Sequence, residues 1–245
     1  NLNGQMPTVS NLVTDSLGLW DTKKTSDYLK IQDNQLKPGV KVVYKKTEQA
    51  HLALGVRAYN LTHPDRYALG VLATILGGGM SSRLFIAVRE RRGLAYYVHS
   101  GAEQYSDVGH FVTLAGVDLK KIDEAIKVIL EEYRKISQPK GLREWAKHSP
   151  GVEGISVEEL IKAKEFLKGR LILDLEDSKA VAGLFGSAEL LEGKIKTPEE
   201  IMAKIDKITL EDLTRVAKDI FKPEKLNLAV IGPFKDGQRF EKLLE

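Results

Sequence analysis

The chain of 245 residues contains no cysteine. That absence excludes disulfides, thiolate nucleophiles and cysteine-bound zinc, and it is compatible with a reducing compartment. An excess of one charge is also lacking. The 37 basic and 34 acidic side chains leave a net charge of +3, too close a balance to mark a nucleic-acid or anionic-membrane partner. No apolar run approaches the ~20 residues needed to span a bilayer. The alternating apolar stretches, such as residues 52–58, have the length of strands. No basic, apolar, small-residue leader is visible, so cytoplasmic residence is the expectation. With Asn as residue 1, the chain reads as cut from something longer. Low-complexity tracts and fixed-period repeats are not evident.

Several chemical signatures are missing too. The five histidines are His51, His63, His99, His110 and His148. No two of them stand one helical turn apart with a glutamate between, as a zinc helix with its general base requires. No metal is therefore assigned to this chain. His99 and His110 fall on neighbouring predicted strands and could meet, but no third ligand accompanies them. The run Gly77-Gly-Gly-Met-Ser-Ser82 precedes a helical stretch, yet it lacks the Gly-x-x-x-x-Gly-Lys-Ser/Thr pattern and follows a helix instead of a strand. A helix stop with a tight turn is the better reading than nucleotide binding. There is no Gly-x-Ser-x-Gly nucleophile elbow.

What is present is an ordered series of helix and strand signals. Residues 1–38 are poorly periodic and read as a linker or wrapping arm, with a short helix near 26–31. Pro38-Gly39 marks a turn, and residues 40–45 and 49–58 alternate as strands, with Thr47-Glu48 near the turn between them. Thr62 to Asp65 resembles a helix start, followed by Leu69, Leu72, Ala73, Ile75 and Leu76 at helical spacing. A second helix is predicted over 82–90, and strands over 94–105 and 110–117.

The clearest amphipathic helix covers 120–136, with Ile122, Ile126, Ile129, Leu130 and Tyr133 on one stripe. Residues 137–154 carry Pro139, Gly141, Pro150, Gly151 and Gly154 and form the candidate subdomain boundary. Beyond it, the capping-box pattern Ser156 to Glu159 opens a helix to about Asp174. A helical stretch over 180–191, helix starts at Thr197 and Thr209, a strand over 226–231 and a short helix over 234–244 complete the chain. The expected class is α+β: a mostly antiparallel sheet with helices packed on it, built by residues 39–245.

Residues 81–96 concentrate the chemistry. A helix-like segment carries Arg89, a strand-like segment carries Tyr96, and Gly93 is the hinge between them. An always-charged fork and a phenol fixed close together can grip a peptide carbonyl or steady an oxyanion. On composition alone, Arg89-Glu-Arg-Arg92 reads as a solvated helix end, and with Arg83 it could form an anion patch. Tyr96 and Tyr97 are expected on opposite faces of a strand, one core and one surface.

The run Ser82-Arg-Leu-Phe85, then Arg89, then Gly93-Leu-Ala-Tyr96 resembles the signature of the C-terminal half-domain of pitrilysin/insulinase-type zinc peptidases, a group that includes the mitochondrial processing peptidase. Gln49-Ala-His-Leu-Ala-Leu-Gly55, Glu159 to Lys164, Lys168-Gly-Arg170, Thr209 to Leu213 and Leu228-Ala-Val-Ile-Gly-Pro233 extend the resemblance over roughly residues 39 to 235. In that family two related halves face each other across a chamber. The resemblance implies that Arg89 and Tyr96, seven residues apart, hydrogen-bond the substrate carbonyl or oxyanion. It implies that an N-terminal-type half, in the same polypeptide or as a separate subunit, supplies the zinc and the general base. The family's zinc-ligand motif is absent here, in either orientation.

The resemblance thus points to the zinc-less, substrate-binding half of a metalloendopeptidase. That half is expected to be inactive alone, and to act on a peptide or unfolded protein. The alternative is a non-catalytic structural subunit of the same fold.

Overall fold

The computed structural model describes residues 6–18, 29, 31–32, 34–137 and 154–244. The helix anticipated near 26–31 and the loop anticipated over 137–154 fall largely outside these. The chain divides into two units, residues 1–32 and residues 33–245. In the first, Met6–Leu17 form helix α1, whose Val9, Leu12, Val13 and Leu17 are exposed; the sequence pattern had suggested no helix there.

Among the described residues the second unit has five strands: β1 (Gly39–Tyr44), β2 (Gln49–Ala58), β3 (Ala95–Gln104), β4 (Gly109–Asp118) and β5 (Leu226–Gly232). Their order across the sheet is β1-β5-β2-β4-β3. Three of the pairings are antiparallel and one, β1 with β5, is parallel. The mostly antiparallel α+β expectation holds. The turn anticipated at Thr47-Glu48 does not pair β1 with β2; β5, arriving from far along the chain, sits between them.

The strands alternate cleanly. Ala50, Leu52, Leu54 and Val56 of β2 are buried, whereas His51, Ala53, Gly55 and Arg57 are only half-buried. In β5, Leu226, Leu228 and Val230 are buried while Asn227, Ala229 and Ile231 are exposed. Period-two alternation of this kind gives the sheet one core face and one open face. The core face is covered by α2 (Arg66–Gly77), α3 (Ile122–Ser137) and α7 (Leu210–Ile220). Phe111 of β4 lies at the centre, fully buried and edge-on to Tyr133 and Phe221 at 5.7 and 5.3 Å. A buried chain of hydroxyls, Ser100 to Thr113 (2.7 Å) and Thr113 to Tyr133 (2.5 Å), crosses the same layer.

Helices α4 (Val157–Asp174), α5 (Ser178–Ser187), α6 (Pro198–Asp206) and α8 (Gln238–Leu244) complete the unit. The starts of α4, α6 and α7 are reciprocal capping boxes at Ser156/Glu159, Thr197/Glu200 and Thr209/Asp212, each satisfying two orphan amides of its first turn. Helix α2 begins differently. Asp65 stands at its N-cap without a side-chain cap bond, and Thr62 bonds Asn60 instead of capping. Among the described residues no helix is long and apolar enough to cross a membrane.

Candidate active-site half

Residues 82–96 run from a helical turn into β3, and several hydrogen bonds fix how they do so. The helix anticipated over 82–90 is wound mainly as a π-helix, Phe85–Glu90. Its widened turn is closed by the Arg91 amide donating to the Ile86 carbonyl at 2.9 Å. Leu84 and Val88 are fully buried and Ala87 nearly so, which anchors one side of the turn and leaves Arg89 exposed on the other. π-Turns are rare and cluster at functional sites.

The turn ends at Gly93, whose φ of 56° lies in the left-handed region that favours glycine. That conformation lets the chain reverse, so that the Leu94 amide returns to the Val88 carbonyl (2.9 Å) and the Gly93 amide to the Arg89 carbonyl (3.1 Å). Arg92 donates to the Ala87 carbonyl, and Lys121 donates to the Gly93 carbonyl. Arg83 and Arg92, two members of the imagined anion patch, are thus spent on structure. Arg83 makes a two-pronged bond to Glu159 at 2.6 and 2.7 Å and also reaches the Gly154 carbonyl. Burial disfavours the Glu159 charge, but the Arg83 fork and the Ser156 amide and hydroxyl outweigh it and hold the carboxyl below its usual range.

Tyr96 sits where β3 slips by one residue against β4. Ala95 pairs with Val117 and Tyr97 with Gly116, which leaves Tyr96 as the extra residue of a β-bulge. Bulges re-aim side chains and are over-represented beside active sites. The bulge also corrects the expectation that one of the two tyrosines would be core: Tyr96 is 60% exposed and Tyr97 39%. Among the described residues neither the Tyr96 hydroxyl nor the Arg89 guanidinium has a hydrogen-bond partner. Arg89 lies over the Phe85 ring, 4.9 Å from its centre, and so keeps all its donors.

Tyr97 is held firmly. Its ring lies against Gly116, so closely that a Cβ there would stand 2.4 Å from a ring carbon. Its hydroxyl meets His51 Nδ1 at 3.0 Å, and His51 Nε2 faces the Gln49 side-chain amide at 3.4 Å. His51, Gly116 and Tyr97 lie side by side on β2, β4 and β3. The sequence offered no direct sign of this pairing; only the strand register brings the residues together.

The other described histidines are scattered, and His148 lies outside the described residues. His99 pairs in register with Leu114, and His110 with Arg57 and Glu103, so His99 and His110 do not face each other. His63 stacks on Tyr59 at 3.9 Å. Among the described residues no three His, Asp or Glu side chains converge to hold a metal, and the donor set does not fit zinc. A shallow depression of about 450 Å³ on the open sheet face, floored by Ala53, Gly55 and Ala229 and flanked by Arg57, His110 and Val112, lies toward the other end of β2 from His51.

Residues 6–146 match the model of the peptidase M16 inactive domain. The chain belongs to that family. An uncharacterised zinc protease of Streptomyces coelicolor is 36% identical to this chain over 199 residues, 81% of the chain but only 40% of the relative's length. Among solved structures, a protease from Helicobacter pylori superimposes with a TM-score of 0.74 at 25% identity, covering 93% of this chain and 52% of the other. A peptidase M16 inactive domain from Pseudomonas fluorescens gives the same TM-score at 21% identity, over 95% of this chain and 51% of that one, a likeness of fold. The chain thus spans about two-fifths of the length of this curated relative and about half of the solved chains it resembles.

Proposed function

We propose that this chain is the substrate-gripping, zinc-free half of a two-half zinc metalloendopeptidase, with Arg89 and Tyr96 as its catalytic residues. The observation that carries the reading is the state of those two side chains. Both are exposed donors uncommitted to any described residue, at a helix–strand junction that Gly93, Val88 and the bulge hold in place. Donors that are fixed in position but unsatisfied are what a developing oxyanion requires. The partner half carries the metal and the general base, and this chain's relatives named as zinc proteases support that division.

On this reading the Arg89 guanidinium and the Tyr96 hydroxyl donate to the carbonyl oxygen of the bond being cut, and hold it more tightly as charge gathers there. Two such donors lower the barrier by roughly 3 kcal/mol or more. An extended peptide or unfolded segment enclosed between the halves is the substrate class.

The test is peptide cleavage by the protein containing both halves, followed with an internally quenched peptide. Tyr96→Phe is expected to lose about a hundredfold in kcat. Arg89→Lys, which keeps the charge but loses the fork, is expected to lose a comparable amount. Wild-type rates in a folded Tyr96→Phe variant would sink the assignment.

A further inference from the structure

The exposed hydroxyl beside Tyr96 belongs to a residue that a peptidase needing one phenol could do without. We infer that Tyr97 is a further substrate-contacting donor and that His51 is the positioning residue that aims it. The inference rests on the function proposed above and adds a residue pair to the same site.

Three features of the open sheet face support it. Tyr97 alternates with buried Val98 and Ser100 and so lies on the open face, next in sequence to the proposed oxyanion donor that the bulge re-aims. Gly116 gives its ring a seat that no larger residue would leave open, so the ring is fixed in place. And its hydroxyl, although more than a third of the residue is exposed, is engaged by an imidazole at 3.0 Å. Fixing an exposed phenol through a histidine costs side-chain freedom, and packing alone does not require it.

The hydrogen-bond roles follow from the order of the groups. The Gln49 amide nitrogen can only donate, so the His51 Nε2 that faces it accepts. In the tautomer that accepts this bond, the imidazole proton sits on Nδ1 and is donated to the Tyr97 hydroxyl oxygen. This leaves the Tyr97 O–H proton uncommitted, with its oxygen polarised by the bond it already accepts. A neutral O–H donor at this place matches a backbone carbonyl of an extended peptide, one neighbouring the carbonyl held by Tyr96.

Peptide cleavage by the two-half protein tests this with an internally quenched peptide as probe. Tyr97→Phe keeps the ring on Gly116 and removes only the hydroxyl. It should lower kcat/KM about tenfold with thermal stability unchanged. His51→Ala should give a similar loss, and added to Tyr97→Phe it should cost less than a further twofold, because its effect passes through the missing hydroxyl. A loss from His51→Ala that multiplies with that of Tyr97→Phe overturns the positioning role. Wild-type kcat/KM in Tyr97→Phe, with Tyr96→Phe still down about a hundredfold, overturns this inference and leaves the proposed function intact. Wild-type values in both variants remove both.

Discussion

At Gly116 the missing side chain is the contribution. A methyl there would press into the Tyr97 ring, 2.4 Å from its Cε1, and the ring could escape only by leaving His51. Gly116→Ala is expected to destabilise the domain by about 1–3 kcal/mol through overpacking, read from urea unfolding, and to mimic Tyr97→Phe in peptide cleavage. Gly93 matters for its backbone. At a φ of 56° an alanine costs about 1–2 kcal/mol, although nothing blocks its methyl. Gly93→Ala should therefore lower the urea midpoint, and in the folded fraction it should lower kcat by loosening the link between Arg89 and Tyr96. Arg89, Gly93 and Tyr96 stand within one short motif, so the proposed site could be singled out from sequence alone. The sequence hid the seat on Gly116 and the His51 bond, since both are contacts across strands whose register depends on the whole sheet.

Between elements, the joint of Arg83 and Glu159 ties the segment before the π-helix to the start of α4. The Glu159 carboxyl also serves its own capping box by accepting from the Ser156 amide at 2.8 Å. Because its folded-state pKa is depressed, its contribution to stability is fully present above the ordinary carboxylate pKa and is lost as pH falls through the lower, folded value. The wild-type domain should lose stability from about pH 5 downward. Glu159→Gln should be less stable by about 2 kcal/mol at pH 7, with a flatter profile below pH 5, in denaturation curves taken at several pH values.

The same element shows what local sequence can specify. Ser156, Thr197 and Thr209 announce their helices because a capping box is complete within four residues. The π-turn over Phe85–Glu90 and the bulge at Tyr96 were not announced. Each is a one-residue excess that only the surrounding packing accommodates.

For the whole molecule, the open face of the sheet and the uncommitted donors at one end of it are what the proposed two-half enzyme would turn toward its other half. The proposed division of labour predicts that the isolated chain cleaves no quenched peptide. Activity should appear only with the zinc-bearing half, and a zinc chelator should abolish it. Fold class was readable from the alternation of the strands and from the amphipathic stripe of α3. The strand order was not, because Gly39 pairs with Asn227 and Tyr44 with Gly232, and no local signal spans that distance.

That long-range pairing also governs when the domain can exist. β5 is the strand that joins β1 to the rest of the sheet, and it lies near the far end of the chain. During synthesis β1 must wait as an unpaired edge, and β2 with only one neighbour, until residues 226–232 have left the ribosome. Closing so large a loop makes folding slow and late. A chain ending at residue 222 should therefore not fold to a reduced domain. It should accumulate as an aggregating, protease-sensitive species, whereas removing only α8 should leave a sheet that still closes. β5 thus acts as the keystone for β1.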